Sequence, residues 1–343
     1  IVARVQDVNP WERRPVEIDE QPRLASAMRA LEMAQEPRPL MVGERVSSLG
    51  SRKVKRLLLA DEYDAILDVA REQVEGGAHA LDVLVATTER SDEAEQMHRV
   101  VKLLQQGVDA PLVIDTTEPE VMELALETNP GRAILNSVHL ESGPAKLERV
   151  ARLARQHGAA MVAMCIDERG QGETAERKLE IAARIYDMVV NEFHMPPGTL
   201  IYDTLLFPIT TGQEQYRNAA SEVLTAIRRI KAELPAVFTI LGISNVSFGL
   251  KPAARHILNS VFLHHAVEAG LDMAIVNPAH ITPYAEISPE HRSLMDDLIF
   301  NRDENALARV IAAFEEYEAQ QEGKADPTEG MTVFERVYWR ILH

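Results

Sequence analysis

Eight short apolar runs in this chain each close on an acid or an amide, and a helix-length amphipathic stretch separates each run from the next. The runs end in Gly43-Glu44-Arg45, Asp82, Ile114-Asp115-Thr116, Leu135-Asn136-Ser137, Ile166-Asp167-Glu168, Tyr202-Asp203-Thr204, Ser244-Asn245-Val246 and Val276-Asn277. Strands joined by crossovers long enough to hold a helix lie parallel. A regular β/α alternation of this length closes into a (β/α)8 barrel, whose strand C-termini converge on one functional face. Here that face carries carboxylates and carboxamides in place of His, Cys or a lysine cluster. Such a lining suits a flat, uncharged heterocycle rich in hydrogen bonds, and suits a phosphate or a soft metal poorly.

The pattern predicts strands over 39–45, 78–85, 112–115, 133–137, 160–166, 200–205, 238–243 and 273–276. A helix is expected from Asp61 as N-cap, with Asp64 three residues on. It buries Ile66, Val69, Ala70 and Val74 and ends at Gly76-Gly77. Leu147, Val150, Ala151 and Ala154 mark another helix, stopped by Gly158. The clearest carries Leu179, Ala182, Ala183, Tyr186, Val189, Val190 and Phe193 at spacings of three and four. Further helices are expected around Val223, Ile227, Ile230 and Leu234, over 256–269, and around Leu307, Val310, Ile311 and Phe314.

Three regions are expected. Residues 1–37 read as a linker or barrel plug with a helix-like run over 24–33, and residues 38–320 as the barrel. Residues 321–343 read as a linker and the start of a further helix bearing Phe334, Val337, Tyr338 and Ile341. A chain that begins at Ile1 reads as a piece of a longer protein.

The length, 343 residues, accommodates a barrel of roughly 250 residues with flanking segments. Lys plus Arg number 36 against 53 Asp plus Glu, a net charge of −17. A field of that sign repels phosphate backbones and argues against a nucleic-acid partner. No run approaches the roughly 18 apolar residues of a membrane span, and no signal peptide is evident, so a cytoplasmic location is expected. The single Cys165 cannot form an internal disulfide, and no CxxC or HxxxH spacing offers a protein-only metal site.

Among the strand-end residues, Asp115, Asn136 and Asp203 have the chemistry to read a heterocycle edge. A carboxylate accepts two adjacent N–H donors, and an amide accepts and donates at once. The alternative for each is a turn or helix-cap residue. Asn245 lies among small neighbours in Gly242-Ile243-Ser244-Asn245-Val246-Ser247, where a ligand and side-chain movement have room; an Asx turn is the other reading. Glu44 either faces the site or closes the barrel as an ion pair with Arg45. Cys165, Met161 and Met164 read as core, and His264-His265 as structural residues remote from the strand ends. No phosphate-binding glycine motif follows a strand.

These residues resemble those of pterin-binding methyltransferases. The likeness runs through Met41-Val42-Gly43-Glu44-Arg45, Gly76-Gly77-Ala78-His79-Ala80-Leu81-Asp82, Val113-Ile114-Asp115-Thr116, Ile134-Leu135-Asn136-Ser137, Tyr202-Asp203 and the Gly242 to Ser247 segment. The stretch 158–178, with Asp167-Glu168-Arg169-Gly170-Gln171-Gly172 and Thr174-Ala175-Glu176-Arg177-Lys178, resembles the folate domain of cobalamin-dependent methionine synthases. So do Asn245-Val246-Ser247-Phe248-Gly249 and Leu258-Asn259-Ser260-Val261-Phe262-Leu263, and the likeness covers residues 38–290 in order. Met331-Thr332-Val333-Phe334-Glu335-Arg336 resembles the start of the cap of that family's cobalamin module.

The resemblance implies a (β/α)8 TIM barrel of the pterin-binding, dihydropteroate-synthase-like type. It implies 5-methyltetrahydrofolate as methyl donor and cob(I)alamin, bound by another module, as acceptor, with a homocysteine module elsewhere on the same polypeptide. Asp115, Asn136 and Asp203 then hold the pterin, and Asn245 hydrogen-bonds near the methylated nitrogen. Asp82 and Glu44 also match the family pattern, with Asp82 either touching the ligand or supporting the barrel. Ser47 and Leu84 depart from it, since the family often has Asn at both. Arg52, Lys53 and Lys251 are loop candidates for the anionic folate tail. Rival readings are a free-standing methyltransferase serving a separate corrinoid protein, a dihydropteroate synthase, and a folate-binding module without turnover.

Overall fold

The computed structural model describes residues 21–322. Two short strands, β1 (Arg23–Ala25) and β2 (Ala30–Glu32), pair antiparallel where the sequence pattern suggested a helical run. Burial explains the difference. Leu24 and Met33 are fully buried against inward residues of the barrel, and Ser26 Oγ accepts the N–H groups of Met28 and Arg29 to close the turn. Tertiary burial thus overrides a local spacing that a helix would also satisfy.

The barrel strands follow. They are β3 (Leu40–Ser47), β4 (Ala80–Leu84), β5 (Leu112–Asp115), β6 (Ile134–Val138) and β7 (Ala160–Met164). A small antiparallel hairpin of β8 (Ile166–Asp167) and β9 (Gly170–Gln171) intervenes before β10 (Leu200–Asp203), β11 (Phe238–Gly242) and β12 (Met273–Val276). The eight parallel strands close in chain order, with β12 returning to pair with β3. The fifth barrel strand is shorter than the sequence suggests. Asp167 leaves it to accept the Arg169 N–H at 2.9 Å and to pair with Arg177, which holds the hairpin.

The connecting helices are α1 (Arg52–Leu59), α2 (Tyr63–Glu75), α3 (Glu93–Gly107), α4 (Pro119–Thr128), α5 (Pro144–His157), α6 (Ala175–Tyr186), α7 (Ala219–Glu233) and α8 (Pro252–Ala269), followed by α9 (Pro289–Ile299) and α10 (Ala306–Glu322). Asp61 is not an N-cap. It sits at φ 56° in the turn between α1 and α2, and its carboxylate accepts from Arg90 and Tyr63. Gly158 ends α5 in the left-handed conformation at φ 70°, which only glycine adopts without strain. α6 continues into a π-helical turn over Asp187–Glu192.

Strand alternation divides the apolar side chains. Outward residues such as Leu81, Ile114, Leu135, Met161 and Tyr202 pack against the helices. Inward residues Leu40, Val42, Ala80, Val113, Ile134, Ala160, Val162, Ile201, Phe238, Ile240 and Met273 fill the lumen over Leu24 and Met33. No helix among the described residues is long and apolar enough to cross a membrane. The expected helix around Phe334 lies outside the described residues.

Candidate functional site

A period of two carries the inward face of each strand from the apolar floor to its C-terminal end. Leu40 and Val42 lead to Glu44, Ala80 to Asp82, Val113 to Asp115, Ile134 to Asn136, Ile201 to Asp203, and Phe238 and Ile240 to Gly242. The lumen is therefore apolar below and acidic or amidic above. Asn245 stands just past this tier on the 3₁₀ turn Ile243–Ser247 and is exposed. The fold thus gathers Glu44, Asp82, Asp115, Asn136, Asp203 and Asn245 at one end.

Asp115 and Asn136 are side by side in register on β5 and β6. Asp82 is buried on β4, and its Oδ1 has no hydrogen-bond partner among the described residues. Burial, and then the Asp115 charge, push the Asp82 carboxyl well above the usual carboxylate range; a hydrogen bond with Asn136 offsets part of this. Burial, then the charge of Glu93, raise Asp115 to about 7. Asp203 is raised to about 6 by burial, against the opposing pull of the Leu205 N–H and of Lys178. That N–H donates to Asp203 Oδ1 at 2.8 Å. Burial also raises Glu44, which accepts a 3.1 Å hydrogen bond from Ser244 Oγ and so ties β3 to the turn that carries Asn245.

Each of these carboxyls is easier to protonate than an exposed one. The tier is a set of acceptors whose charge is under-compensated by the protein itself.

Glycine makes room at two points. A Cβ on Gly242 would stand 3.1 Å from Asn245 Nδ2, so a bare α-carbon leaves the amide its place. A Cβ on Gly50 would stand 2.4 Å from the Glu44 carbonyl oxygen, so this turn folds back tightly on β3. Ser47, at one departure from the family pattern, uses its Oγ to accept the Gly50 N–H at 3.0 Å, and Leu84, at the other, is buried. The turn bond expected at strand ends forms at Asp203, which accepts the Leu205 N–H, and the same bond forms at Asn277, which accepts the Ala279 N–H at 3.2 Å.

Arg52 and Lys53 lie in the first turn of α1 rather than on a loop, and Lys53 is 3.9 Å from Glu72. Cys165 is buried, with its thiol pushed up to about 12 by burial, which silences it as a nucleophile.

Two cations escaped the sequence reading. Arg255, on the first turn of α8, donates to Ser247 Oγ at 3.2 Å and to the Ser244 carbonyl at 3.3 Å, bracing the Asn245 turn. With Glu44, His256, Asn277 and His280 it lines a cavity of about 270 Å³ beside the tier. Lys178 is fully buried behind Asp203. Its signal was available: Ala175, Lys178, Ala182 and Ile185 fall on one helical stripe, where a lysine is out of place.

The fold is thus a closed parallel eight-stranded barrel with a ring of carboxyl and amide side chains at its strand ends. The family model described as "Pterin binding enzyme" matches residues 43–277, and the chain belongs to that family. It is 37% identical over 350 residues to the methionine synthase of Mycobacterium tuberculosis (strain ATCC 25618 / H37Rv), with 100% of this chain and 29% of that protein covered. It is 40% identical over 285 residues to the methionine synthase of Mycobacterium leprae (strain TN), with 82% and 24% covered. The chain therefore spans less than a third of the length of these curated relatives. Among solved structures, a dihydropteroate synthase from Xanthomonas albilineans in complex with 7,8-dihydropteroate superposes with a TM-score of 0.52 at 18% identity, covering 87% of this chain and 99% of that one. At that identity the likeness concerns the barrel fold.

Proposed function

We propose that this barrel is the folate module of a cobalamin-dependent methionine synthase, binding 5-methyltetrahydrofolate and presenting its methyl group for transfer. The observation that carries the reading is the acceptor tier of Asp82, Asp115, Asn136 and Asp203 above an apolar floor. A reduced pterin offers a 2-amino group and ring N–H groups beside a carbonyl. Asp203 and Asp115 accept from the donors, and Asn136 matches a mixed donor–acceptor edge. The apolar residues beneath limit how deep the flat ring descends.

Methyl transfer from a tertiary amine requires its nitrogen to gain positive character as the C–N bond breaks. Cob(I)alamin, carried by another module, supplies the nucleophile for the methyl carbon. The barrel residues position the donor and strengthen their hydrogen bonds as charge develops. Asn245 suits that role because its amide stands at the open end of the tier, on a short turn braced by Arg255. The exposed Leu49 and Phe248 follow the strand ends of β3 and β11, so the mouth offers apolar surface to a large planar partner. The cobalamin and homocysteine modules belong to the same proposal, which the greater length of the relatives supports.

The test pairs two titrations. The chain should bind 5-methyltetrahydrofolate and bind a dihydropteridine diphosphate far more weakly. The reverse order would favour a dihydropteroate synthase. In single-turnover assays at saturating folate, Asn245→Ala should slow methylation of added cob(I)alamin by one to three decades, at about 1.4 kcal/mol per decade. An unchanged saturated rate would remove Asn245 from the chemistry.

A further inference from the structure

We infer that Lys178 is a positioning residue for the site, setting both the direction and the charge of the Asp203 carboxylate. The inference rests on the folate reading above. Lys178 lies on α6, away from the lumen face of any strand, and is fully buried. Its Nζ donates to three carbonyl oxygens: Gly172 at 2.6 Å, Thr204 at 2.5 Å and Leu205 at 3.1 Å. An ammonium has three donors, and here all three are used.

The acceptors are not scattered. Thr204 and Leu205 are the two residues directly after Asp203, and Gly172 follows the β8–β9 hairpin. Leu205 is held at φ 57°, a left-handed conformation that a leucine rarely adopts. Two consecutive carbonyls turned toward one cation account for that turn, because without the cation two buried acceptors would lack a donor. The same turn aims the Leu205 N–H at Asp203 Oδ1, 2.8 Å away. Gly172 permits the close approach, since a Cβ there would stand 3.2 Å from Lys178 Cγ.

Both influences that favour the Asp203 anion therefore run through Lys178. Its charge acts directly, and the peptide that donates to Oδ1 is fixed by its hydrogen bonds. The other titratable groups around the ammonium are Cys165 at the end of β7, Glu173 before α6 and Glu222 on α7. The Phe207 ring lies 5.5 Å from Nζ. Cys165 keeps its proton, Glu222 accepts the Ala175 N–H at 2.5 Å and Glu173 is exposed to solvent, which leaves Asp203 as the carboxylate that Lys178 serves at the mouth.

The experiment follows 5-methyltetrahydrofolate affinity from pH 6 to 9 by calorimetry, for the unaltered chain, Lys178→Met, Lys178→Arg, Asp203→Asn and the Lys178→Met/Asp203→Asn pair. Thermal unfolding at pH 8 confirms that each is folded. Lys178→Met should move the acid limb of binding at least one pH unit upward from the Asp203 value of about 6, costing about fivefold or more in affinity at pH 6, about twofold or more at pH 7 and little at pH 9. In the Asp203→Asn background the same change should leave the pH profile in place. Lys178→Arg keeps the charge but cannot gather three carbonyls at one nitrogen. It should loosen the Leu205 N–H from Asp203 while keeping the charge, so its acid limb should move upward by less than that of Lys178→Met, and it decides the matter if Lys178→Met does not fold. An acid limb unmoved in Lys178→Met, an equal movement with and without Asp203, or wild-type binding by Lys178→Arg would overturn the inference and leave the folate reading intact. Failure of the unaltered chain to bind folate at any of these pH values would overturn both.

Discussion

Replacing Asp115 with Asn should stabilise the ligand-free barrel, and by an amount that grows with pH. Asp115 ionises in the fold at about 7 instead of 3.8, because burial and Glu93 disfavour its charge. A folded-state pKa above the unfolded one means the native protein keeps the proton longer. Stability is therefore greatest below about pH 4 and is lost as pH rises toward the folded value. A shift of roughly three units corresponds to a ceiling of about 4 kcal/mol, of which roughly 2.6 kcal/mol falls between pH 5 and 8. Asp115 is half-buried, and Asp82 shares the proton balance, so about half of that interval, roughly 1.3 kcal/mol, is a realistic expectation. The assay is urea unfolding of both proteins at pH 5, 6, 7 and 8, reading the difference in unfolding free energy. It should widen steadily in favour of Asp115→Asn, while folate affinity falls. A difference that stays flat with pH would show that Asp115 is not held protonated by the fold, and the account of the tier as under-compensated acceptors would fail.

Other outcomes follow from the same tier. Folate binding near pH 6.5 should release protons, because pterin N–H donors favour the ionised carboxylates; calorimetry in buffers of different ionisation enthalpy measures the number, and proton uptake would contradict it. Asp203→Ala should weaken folate binding by about 1.5–3 kcal/mol, the usual worth of a charge-assisted hydrogen bond, and unchanged affinity in folded protein would remove Asp203 from the site. Gly242→Ala places a Cβ 3.1 Å from Asn245 Nδ2 and should slow single-turnover methyl transfer more than it weakens binding; equal losses would mean the amide acts only in the ground state. Met33→Ala removes a fully buried side chain from the lumen floor and should cost about 2–5 kcal/mol in chemical denaturation, whereas a negligible cost would show that the hairpin does not seal the barrel.

Much of the barrel was legible because each of its parts is locally encoded. Strand runs, crossover length and the glycine after His157 all follow from neighbouring residues. The inward tier was legible for the same reason, since a period of two ties Asp82, Asp115 and Asp203 to apolar residues two positions earlier. What was not legible depends on contacts between distant residues. Leu24 and Met33 suit a helix as well as a hairpin until the barrel floor is there to bury them. The α1 helix hides its buried stripe of Val54, Leu57 and Leu58 behind four basic residues, so the sequence pattern shows only the helix after Asp61, which is α2. Glu44 and Ser244 are 200 residues apart, and no local pattern joins them.

Lys178 marks where sequence reasoning passes from fold to function. A lysine in the apolar stripe of α6 conflicts with burial, and such a conflict is resolved only by full use of its donors. Its three carbonyl partners resolve it, and two of them shape the turn after Asp203. The acids of the tier have no comparable resolution within the described residues: Asp82 keeps an unpartnered oxygen, and Asp115 is raised without a cation beside it. A fold that satisfies its buried cation so completely, yet leaves neighbouring acceptors open, separates support from recognition. On the folate reading, the support is built into the chain and the donors for recognition come with the ligand.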